Sequence, residues 1–330
     1  MRKCPKCGNE NHDNDKFCGD CGFKLPEAKI CPECGFTSFK DKFCVFCGEQ
    51  LLPKYLCKKI KGMMEEANDL GFEQDAIKLY DDVLDTVPYY SHALANKSRL
   101  LLFLKNYEEA LKCIDKALGI NPYNTSFIDN KTTIFLVMEK YDDAMQYIDI
   151  CLDSNPLDDS LLKIKGDILS SMEKYGEAIK FYDKSLDIYS NSCTIRAKIN
   201  ALIDFKQYDE ALECCEYLKN DDSFSSGYYS QKLKIYKIMK EYEKALDLCT
   251  EWYESNPNCY FILLYKGDIY FEMEKYPSAL RCYDKVLNHS PNDETALKGK
   301  ANVLIKMGNV DAIKDILSKI DPNDIRIGNL

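Results

Sequence analysis

A repeat of about 34 residues runs through most of this chain and constrains its fold more than any other feature. Stretches such as YEEALKCIDKALGINP and YDDAMQYIDICLDSNP begin with Tyr, place Ala three residues later and end in Asn-Pro or a substitute. The anchoring alanines recur at a nearly constant interval, and this period predicts stacked helix–turn–helix units. The anchoring alanines are Ala76, Ala110, Ala144, Ala178, Ala211, Ala245, Ala279 and Ala312.

The pattern inside each unit predicts two helices. Apolar residues in YEEALKCIDKAL recur at the i, i+3, i+4 and i+7 positions of one helical face. Prolines such as Pro122 end this helix, and another helical run, for example SLLKIKGDILSSMEK, precedes the Tyr. Gly166 and Gly267 lie inside such preceding runs, where glycine costs about 1 kcal/mol relative to Ala. We expect close helix–helix contacts to offset that cost.

The Tyr, Ala and Pro frame resembles the tetratricopeptide repeat (TPR) family over roughly residues 57–320, in eight units. The resemblance implies antiparallel helix pairs stacked in a right-handed superhelix, with a concave groove lined by the first helix of each pair. The two ends depart from the frame. Phe72 comes one place early in the first unit, and the last unit, MGNVDAIKDIL, lacks the Tyr.

Two small cysteine clusters precede the repeats. Each contains two Cys-x-x-Cys pairs followed by glycine, and the sequence DKFC occurs in both. Four thiolates from two such turns complete a tetrahedral zinc site and leave no position open for water, so the sites are structural. The pattern resembles a tandem (double) zinc ribbon over residues 4–48, which predicts two zinc ions. The candidate ligands are Cys4, Cys7, Cys18, Cys21, Cys31, Cys34, Cys44 and Cys47.

Other interpretations of the cysteines fit the sequence less well. A cross-braced RING needs its central ligands crowded together, whereas nine residues separate Cys21 from Cys31. A rubredoxin-like iron site shares the cysteine turns, but little aromatic shielding surrounds them in this chain. His12 lies in a polar loop and is expected to be solvated rather than to bind metal. The nine cysteines of the repeats mostly follow the repeat positions, so we interpret them as small packing residues.

These patterns together predict an all-α fold, a helix–turn–helix TPR solenoid of about eight repeats preceded by two small zinc-ribbon modules. The expected domains are a first ribbon at residues 1–25, a second ribbon at 26–52, the solenoid at 55–321 and a C-terminal tail at 322–330. The N-terminus lacks the apolar segment of a secretory signal, and no apolar run is long enough to span a membrane. We therefore expect a cytoplasmic protein.

Charge and motif content narrow the function. The chain carries a net charge of −10, and the first 50 residues hold 8 basic and 8 acidic side chains. The rest therefore has 36 of the 44 basic and 46 of the 54 acidic residues, which disfavours contact with phosphate backbones. There is no phosphate-binding glycine loop or hydrolase motif, and the chain has only three histidines. We expect no enzymatic activity, no small-molecule substrate and no membrane partner.

Two functions remain open. The first is an interaction scaffold that binds partner peptides or helices in the groove, with the ribbons as an additional docking module. The alternative is a nucleic-acid adaptor whose ribbons contact DNA or RNA while the repeats recruit protein. The regular Lys/Asn/Arg clamp that some TPR domains use for carboxylates is absent. The repeat register predicts these groove residues: His92, Asn96, Arg99, Phe103, Asn130, Thr133, Asp167, Arg196, Asn200, Lys234, Tyr265, Asp268 and Phe271.

Overall fold

Five two-residue strands and fifteen helices make up the part of the chain described in the computed structural model. The chain divides into two units, Met1–Glu173 and Lys174–Leu330. The residues described are 2–12, 15–26, 29–33, 37–38, 42–44, 50–69, 73–219, 225–256, 259–309 and 316.

The strands belong to the cysteine-rich head. Strand β1 (Arg2–Lys3) pairs antiparallel with β2 (Glu10–Asn11). Strand β3 (Lys29–Ile30) lies between β4 (Thr37–Ser38) and β5 (Leu52–Pro53), with both pairings antiparallel. Helix α1 begins directly after β5, so the last strand of the head leads into the repeats without a linker.

Helices follow one another along both units, separated by short turns. Those of the first unit are α1 (Lys54–Asp69), α2 (Glu73–Thr86), α3 (Ser91–Phe103), α4 (Tyr107–Ile120), α5 (Thr125–Val137), α6 (Tyr141–Ser154) and α7 (Asp159–Ser171). Those of the second unit are α8 (Tyr175–Ile188), α9 (Ser192–Asp204), α10 (Tyr208–Glu216), α11 (Ser225–Ile238), α12 (Tyr242–Ser255), α13 (Phe261–Glu272), α14 (Tyr276–His289) and α15 (Glu294–Lys306). The all-α repeat fold predicted from the period is confirmed.

The anchoring alanines explain how the helices pack. Ala76 is 2% exposed, and the six anchors from Ala110 to Ala279 are fully buried. A small side chain at this point allows the backbone of a neighbouring helix to approach closely. Ala312 lies outside the described residues.

The turn inside each repeat uses a left-handed residue to end the first helix. After α3, Lys105 has φ 62°, and its N–H donates to the carbonyl of Leu102 while Asn106 N–H donates to Leu101. This pair of hydrogen bonds satisfies carbonyls that a helix end otherwise leaves free. The same position in later repeats also has positive φ; it is occupied by Glu139, Glu173, Lys206, Lys240, Glu274 and Gly308.

The close contact expected at Gly267 is present. A Cβ added there would lie 2.7 Å from the ring of Tyr283, and one added at Gly299 would lie 2.5 Å from the same ring. Tyr283 is buried, and its hydroxyl donates to Asp268 Oδ1 at 2.7 Å. Two glycines thus make room for one tyrosine. Gly166 is also buried, in α7.

Ion pairs join consecutive repeats in both units. A lysine on the first helix of one repeat meets an acid on the second helix of the repeat before it, usually sixteen residues earlier. The pairs are Lys97–Asp81, Lys131–Asp115, Lys165–Asp149, Lys198–Asp183, Lys232–Glu216 and Lys300–Asp284. Between α12 and α13 the acid is replaced by Thr250, whose Oγ1 accepts from Lys266 at 3.0 Å.

Among the described residues, no helix combines the length and apolar character required to cross a bilayer.

Candidate metal centre and interaction surfaces

The first cysteine cluster is built from two matching backbone turns. Gly8 N–H donates to the carbonyl of Cys4 at 2.9 Å, and Gly22 N–H donates to that of Cys18 at 3.0 Å. The two glycines have φ of 79° and 68°, a conformation that residues with a Cβ rarely adopt. In this first cluster, the glycine after each Cys-x-x-Cys pair therefore forms the turn. Gly35 and Gly48 lie outside the described residues.

The four sulfur atoms of this cluster converge. The ligand atoms of Cys4, Cys7, Cys18 and Cys21 all lie within 4.8 Å of one another. Cys4 and Cys21 Sγ are 3.6 Å apart, and Cys7 and Cys18 Sγ are 3.5 Å apart. A tetrahedral site with Zn–S bonds of about 2.3 Å requires sulfur separations of roughly 3.8 Å, so these residues fit a zinc ion.

Backbone groups favour the thiolate form of Cys18, whereas at Cys7 a backbone hydrogen bond from Asn9 is outweighed by the neighbouring thiols and burial, which raise the pKa to about 12. The Cys21 backbone N–H, hydrogen-bonded to the sulfur, is the main cause that lowers the pKa of Cys18 to about 6. A thiolate, not a thiol, is the form that binds metal. His12 is exposed and is not part of the ligand cluster.

A buried asparagine connects the two turns, and sequence reasoning missed it. Asn11 is 5% exposed; its Nδ2 donates to Asn9 O at 2.8 Å, and its Oδ1 accepts from Gly19 N–H at 3.0 Å. Each cysteine turn is thereby hydrogen-bonded to the same side chain. An asparagine in a run of polar residues gives no sequence signal of burial, because only the packing of the two turns encloses it.

The described part of the second cluster repeats the first at equivalent positions. Phe17 bridges to Lys24 in the first ribbon, and Phe43 bridges to Gln50 in the second. Buried Leu51 occupies the place of buried Leu25. Cys31 and Cys44 are both buried beside Leu51. Cys34 and Cys47 lie outside the described residues.

The second ribbon is joined to the first repeats by packing as well as by the chain. Leu52 of β5 is buried in the same hydrophobic cluster as Ile60 of α1. Glu33 Oε1 accepts a 2.5 Å hydrogen bond from the Tyr90 hydroxyl, and Glu33 Oε2 lies 3.5 Å from His92 Nε2. The predicted groove residue His92 therefore contacts the ribbon, and its ring also lies edge-on to Phe127 at 5.2 Å.

Some of the other predicted groove residues of the first unit are exposed to solvent, and others form hydrogen bonds within the protein. Arg99 and Thr133 are exposed, and Phe103 is 70% exposed on α3. Asn96 Nδ2 donates to Asn68 Oδ1 at 3.3 Å. Asn130 is 7% exposed; its Nδ2 donates to Ala95 O at 3.0 Å. Asn130 Oδ1 has no hydrogen-bond partner among the described residues.

Charges gather on α3, α5 and α7 of this unit. Lys163 Nζ lies 2.7 Å from the carboxylate of the predicted groove residue Asp167. Burial raises the pKa of Asp129, while the positive charges of Lys163 and Arg99 act in the opposite direction. Asp129 and Lys163 were not among the predicted residues, because the repeat register alone does not show which neighbouring positions face the groove.

In the second unit a cavity of about 640 Å³ lies between α11 and α13. Lys234 and Tyr265, both predicted from the register, line it together with Gln231 and Lys237. Gln231 Oε1 is buried and has no hydrogen-bond partner among the described residues. Lys234 Nζ donates to the predicted Asn200 at 3.0 Å, which connects this cavity to α9. The structure thus brings three predicted residues together.

The remaining predicted residues of the second unit are partly engaged in packing. Asp268 accepts from Tyr283, and burial raises the pKa of the Asp268 carboxyl. Phe271 lies 6.0 Å from the ring of Tyr276. Arg196 Nη2 is 3.7 Å from the sulfur of Cys193, on the exposed side of α9.

Six of the repeat cysteines, Cys57 and five others, are buried in the helical array, as expected for packing residues. Burial raises the pKa of Cys215 and of Cys249 to about 12, so both remain thiols at neutral pH. Besides Cys57 of α1, the buried repeat positions are Cys113, Cys214, Cys215, Cys249 and Cys282.

Comparison with protein families supports both the cysteine-rich head and the helical repeats. The family model of the double zinc ribbon matches residues 4–48. The tetratricopeptide repeat model matches residues 91–124 and 164–192. The chain therefore contains tetratricopeptide repeats and an N-terminal double zinc ribbon. The ribbon family and the converging cysteines together support zinc as the metal. Comparison with curated proteins gave no match.

Several solved structures of TPR proteins are similar to part of this chain. A TPR protein from Parabacteroides merdae is 17% identical, with 79% of this chain and 98% of that chain covered and a TM-score of 0.48. A thermophilic TPR protein from Thermus thermophilus is 14% identical over 53% of this chain and 98% of its own, with a TM-score of 0.47. YrrB, described as a TPR protein with an unusual peptide-binding site, is 18% identical over 56% and 95%, with a TM-score of 0.36. All three TM-scores are below 0.5, so the assignment rests on the family models.

Proposed function

We propose that this TPR protein is a non-enzymatic interaction scaffold that binds segments of partner proteins on the first helices of its repeats. The observation that carries the proposal is the cavity between α11 and α13. It combines an aromatic face from Tyr265, a cation from Lys234 and a buried acceptor, Gln231 Oε1, without a partner among the described residues. A buried carbonyl oxygen left without a donor costs free energy, which a donor from a bound segment would recover.

The first unit supports the same proposal with different chemistry. Its first helices present the exposed Phe103 ring and the exposed Arg99 beside the charges of Asp129, Lys163 and Asp167. Aromatic residues and arginine are the side chains that most often dominate the binding energy of protein interfaces. Each unit thus offers apolar and charged contacts on its first helices.

The experiment compares capture of proteins from the native cell by three forms of the full chain. The test variant is Arg99→Glu/Arg196→Glu, and the matched control is Lys112→Glu/Lys180→Glu, which reverses two charges on the second helices α4 and α8. Partners identified by quantitative mass spectrometry should be lost with the test variant and retained with the control. Thermal stability should fall by no more than about 1–2 kcal/mol in either variant. Equal capture by both variants would contradict the proposal.

We further propose that the chain binds two structural zinc ions, one in each ribbon. The sulfur geometry of the first cluster and the equivalence of Phe17 and Leu25 with Phe43 and Leu51 support this number. Elemental analysis of the protein purified without added metal should give two zinc and negligible iron per chain. One metal per chain, or iron in place of zinc, would contradict the assignment.

One observation favours the nucleic-acid adaptor as a second candidate. Residues 50–64 contain four lysines and no acidic residue, and Lys58, Lys59 and Lys61 are exposed on α1. None of these three has an ion-pair partner among the described residues. The two zinc–thiolate sites would add about −4 to the charge nearby, which weakens this candidate.

The adaptor is tested on the full chain, because a head fragment ending at residue 52 would separate Leu52 from the helix on which it packs. Lys58→Glu/Lys61→Glu should abolish any binding of single-stranded RNA or duplex DNA, and wild-type affinity should fall steeply as salt increases. Micromolar, salt-sensitive binding that this variant loses would place the adaptor above the scaffold. Absence of wild-type binding would eliminate it.

A further inference from the structure

A cleft separate from the first-helix surface lies where the second ribbon meets the first repeats. Its volume is about 640 Å³, and it is lined by Phe43 of the ribbon, by Pro88 and Tyr89 of the turn after α2, by Leu94 of α3, and by the C-terminal part of α4. We call it the ribbon–repeat cleft. The rings of Phe43 and Tyr89 meet edge to face at 6.2 Å, and they are 44% and 56% exposed.

The repeat geometry produces this cleft, because a related one occurs one repeat later. The second cleft, of about 360 Å³, is lined by Pro122, Tyr123 and Ile128. These residues occupy, in the next repeat, the positions of Pro88, Tyr89 and Leu94. Both clefts are therefore formed between an inter-repeat turn and the end of the next second helix. Neither includes a residue of the predicted groove.

Two side chains distinguish the ribbon–repeat cleft from its neighbour. Phe43 comes from the ribbon, so only the end of the array next to the ribbon can provide it. Lys116 lines the cleft at the position that Ile150 occupies one repeat later. Among the described residues Lys116 has no ion-pair partner, whereas Lys112 on the same helix lies 3.5 Å from Glu109. The cleft therefore combines exposed aromatic surface with one uncompensated positive charge.

We propose that the ribbon–repeat cleft binds a short segment of a partner protein in which an apolar side chain lies next to an Asp or Glu. The apolar side chain contacts Phe43, Tyr89 and Leu94, and the carboxylate pairs with Lys116. Charge complementarity selects this occupant. A metabolite site usually presents several convergent polar groups, and a nucleic-acid strand requires a row of cations, whereas this cleft offers one lysine. The surface is independent of the first-helix surface proposed above.

The test is a selection of short random peptides, displayed on phage, against the immobilised full chain. The double variant Tyr89→Ala/Lys116→Glu serves as the counter-target, and circular dichroism confirms that it is folded. Enriched peptides should share an aromatic or aliphatic residue next to Asp or Glu. A synthetic peptide with that consensus should bind Lys116→Glu and Phe43→Ala at least about tenfold more weakly, since tenfold corresponds to about 1.4 kcal/mol.

Two matched variants locate the binding. Lys180→Glu reverses an exposed charge on α8, outside the cleft, and should leave the peptide affinity unchanged. Arg99→Glu on the first-helix surface should also have no effect, so this test can fail while the proposed scaffold function stands. Absence of enrichment, enrichment without an acidic residue, or equal binding to the double variant would each overturn the proposal.

Discussion

Tyr283 and the glycines beside it show how much a single atom matters in the last repeats. Its ring occupies the space in which a Cβ of Gly267 or of Gly299 would lie, and its hydroxyl is fixed by Asp268. The ring therefore cannot move aside to accommodate a methyl group. A mid-helix glycine identified from the sequence as a site of close contact is explained by a partner that the sequence does not identify.

Gly267→Ala and Gly299→Ala should each lower the free energy of unfolding by about 1–3 kcal/mol, as overpacking does in other cores. Gly62→Ala is the matched control, because Gly62 is inside α1 and a Cβ there meets nothing within 4 Å. That variant should be stabilised by about 0.5–1 kcal/mol through helix propensity. Thermal denaturation followed by circular dichroism measures all three. Equal shifts in all three variants would show that the Tyr283 contact is irrelevant.

Asp268 predicts a dependence on pH. Burial raises its pKa above the ordinary value of 3.8, so the folded state holds this proton more tightly than the unfolded chain does. Its contribution to stability is therefore present below pH 3.8 and is lost as the pH rises through the folded pKa. Asp268→Asn retains an acceptor for Tyr283 and removes the titration.

The free energy of unfolding is measured by urea denaturation for Asp268→Asn and for the wild type. The difference, variant minus wild type, should increase as the pH increases from about 4 to 7. A difference between the two proteins that stays constant over this range would contradict the effect of burial on Asp268.

At the scale of helices, the ion pairs between repeats are a feature that the sequence did not predict. The repeat places acidic residues on the second helices, and Asp81, Asp115 and Asp149 each pair with a lysine of the next repeat. A helix period alone does not show which of several exposed charges faces the neighbouring repeat. The anchoring alanines were predictable because they recur in every unit at the same position.

The interface between α12 and α13 offers a direct test of these pairs. Thr250→Asp should form an ion pair with Lys266 and stabilise the protein by about 0.2–1 kcal/mol, the range of partly exposed pairs. The gain should decrease at high salt, because salt screens charges near the surface. Thr250→Asn is the control, and it should give no salt-dependent gain. Equal stability of the Asp and Asn variants at low salt would exclude the ion pair.

For the molecule as a whole, the sequence predicted the order of the parts better than their connection. Both cysteine clusters were visible in the spacing, but the contacts of the second cluster with the repeats were not. In the structure, Leu52 is buried against α1 and Glu33 contacts Tyr90 and His92. The contacts of Glu33 join residues that are distant in sequence, so no local sequence pattern predicts them.

Loss of metal from the second ribbon should therefore weaken the first repeats. Cys44→Ser should increase amide hydrogen exchange in α1 and α3, because β5 and Glu33 lose their support. Cys18→Ser changes the equivalent ligand of the first ribbon and should leave exchange in those helices unchanged. Helices α11 to α15 should be unaffected in both variants, since repeats depend mainly on their neighbours. The same exchange pattern in both variants would show that the second ribbon does not support the array.

The central claim is that the first helices of the repeats bind partner proteins, and cross-linking of a captured partner followed by mass spectrometry tests it most directly. Lysines that can be cross-linked occur on both kinds of helix. Lys163, Lys234 and Lys237 lie on first helices, and Lys112, Lys180 and Lys184 lie on second helices. Scaffold binding predicts that cross-links to the partner concentrate on the first set. Cross-links concentrated on the second set, or confined to the ribbons, would contradict it.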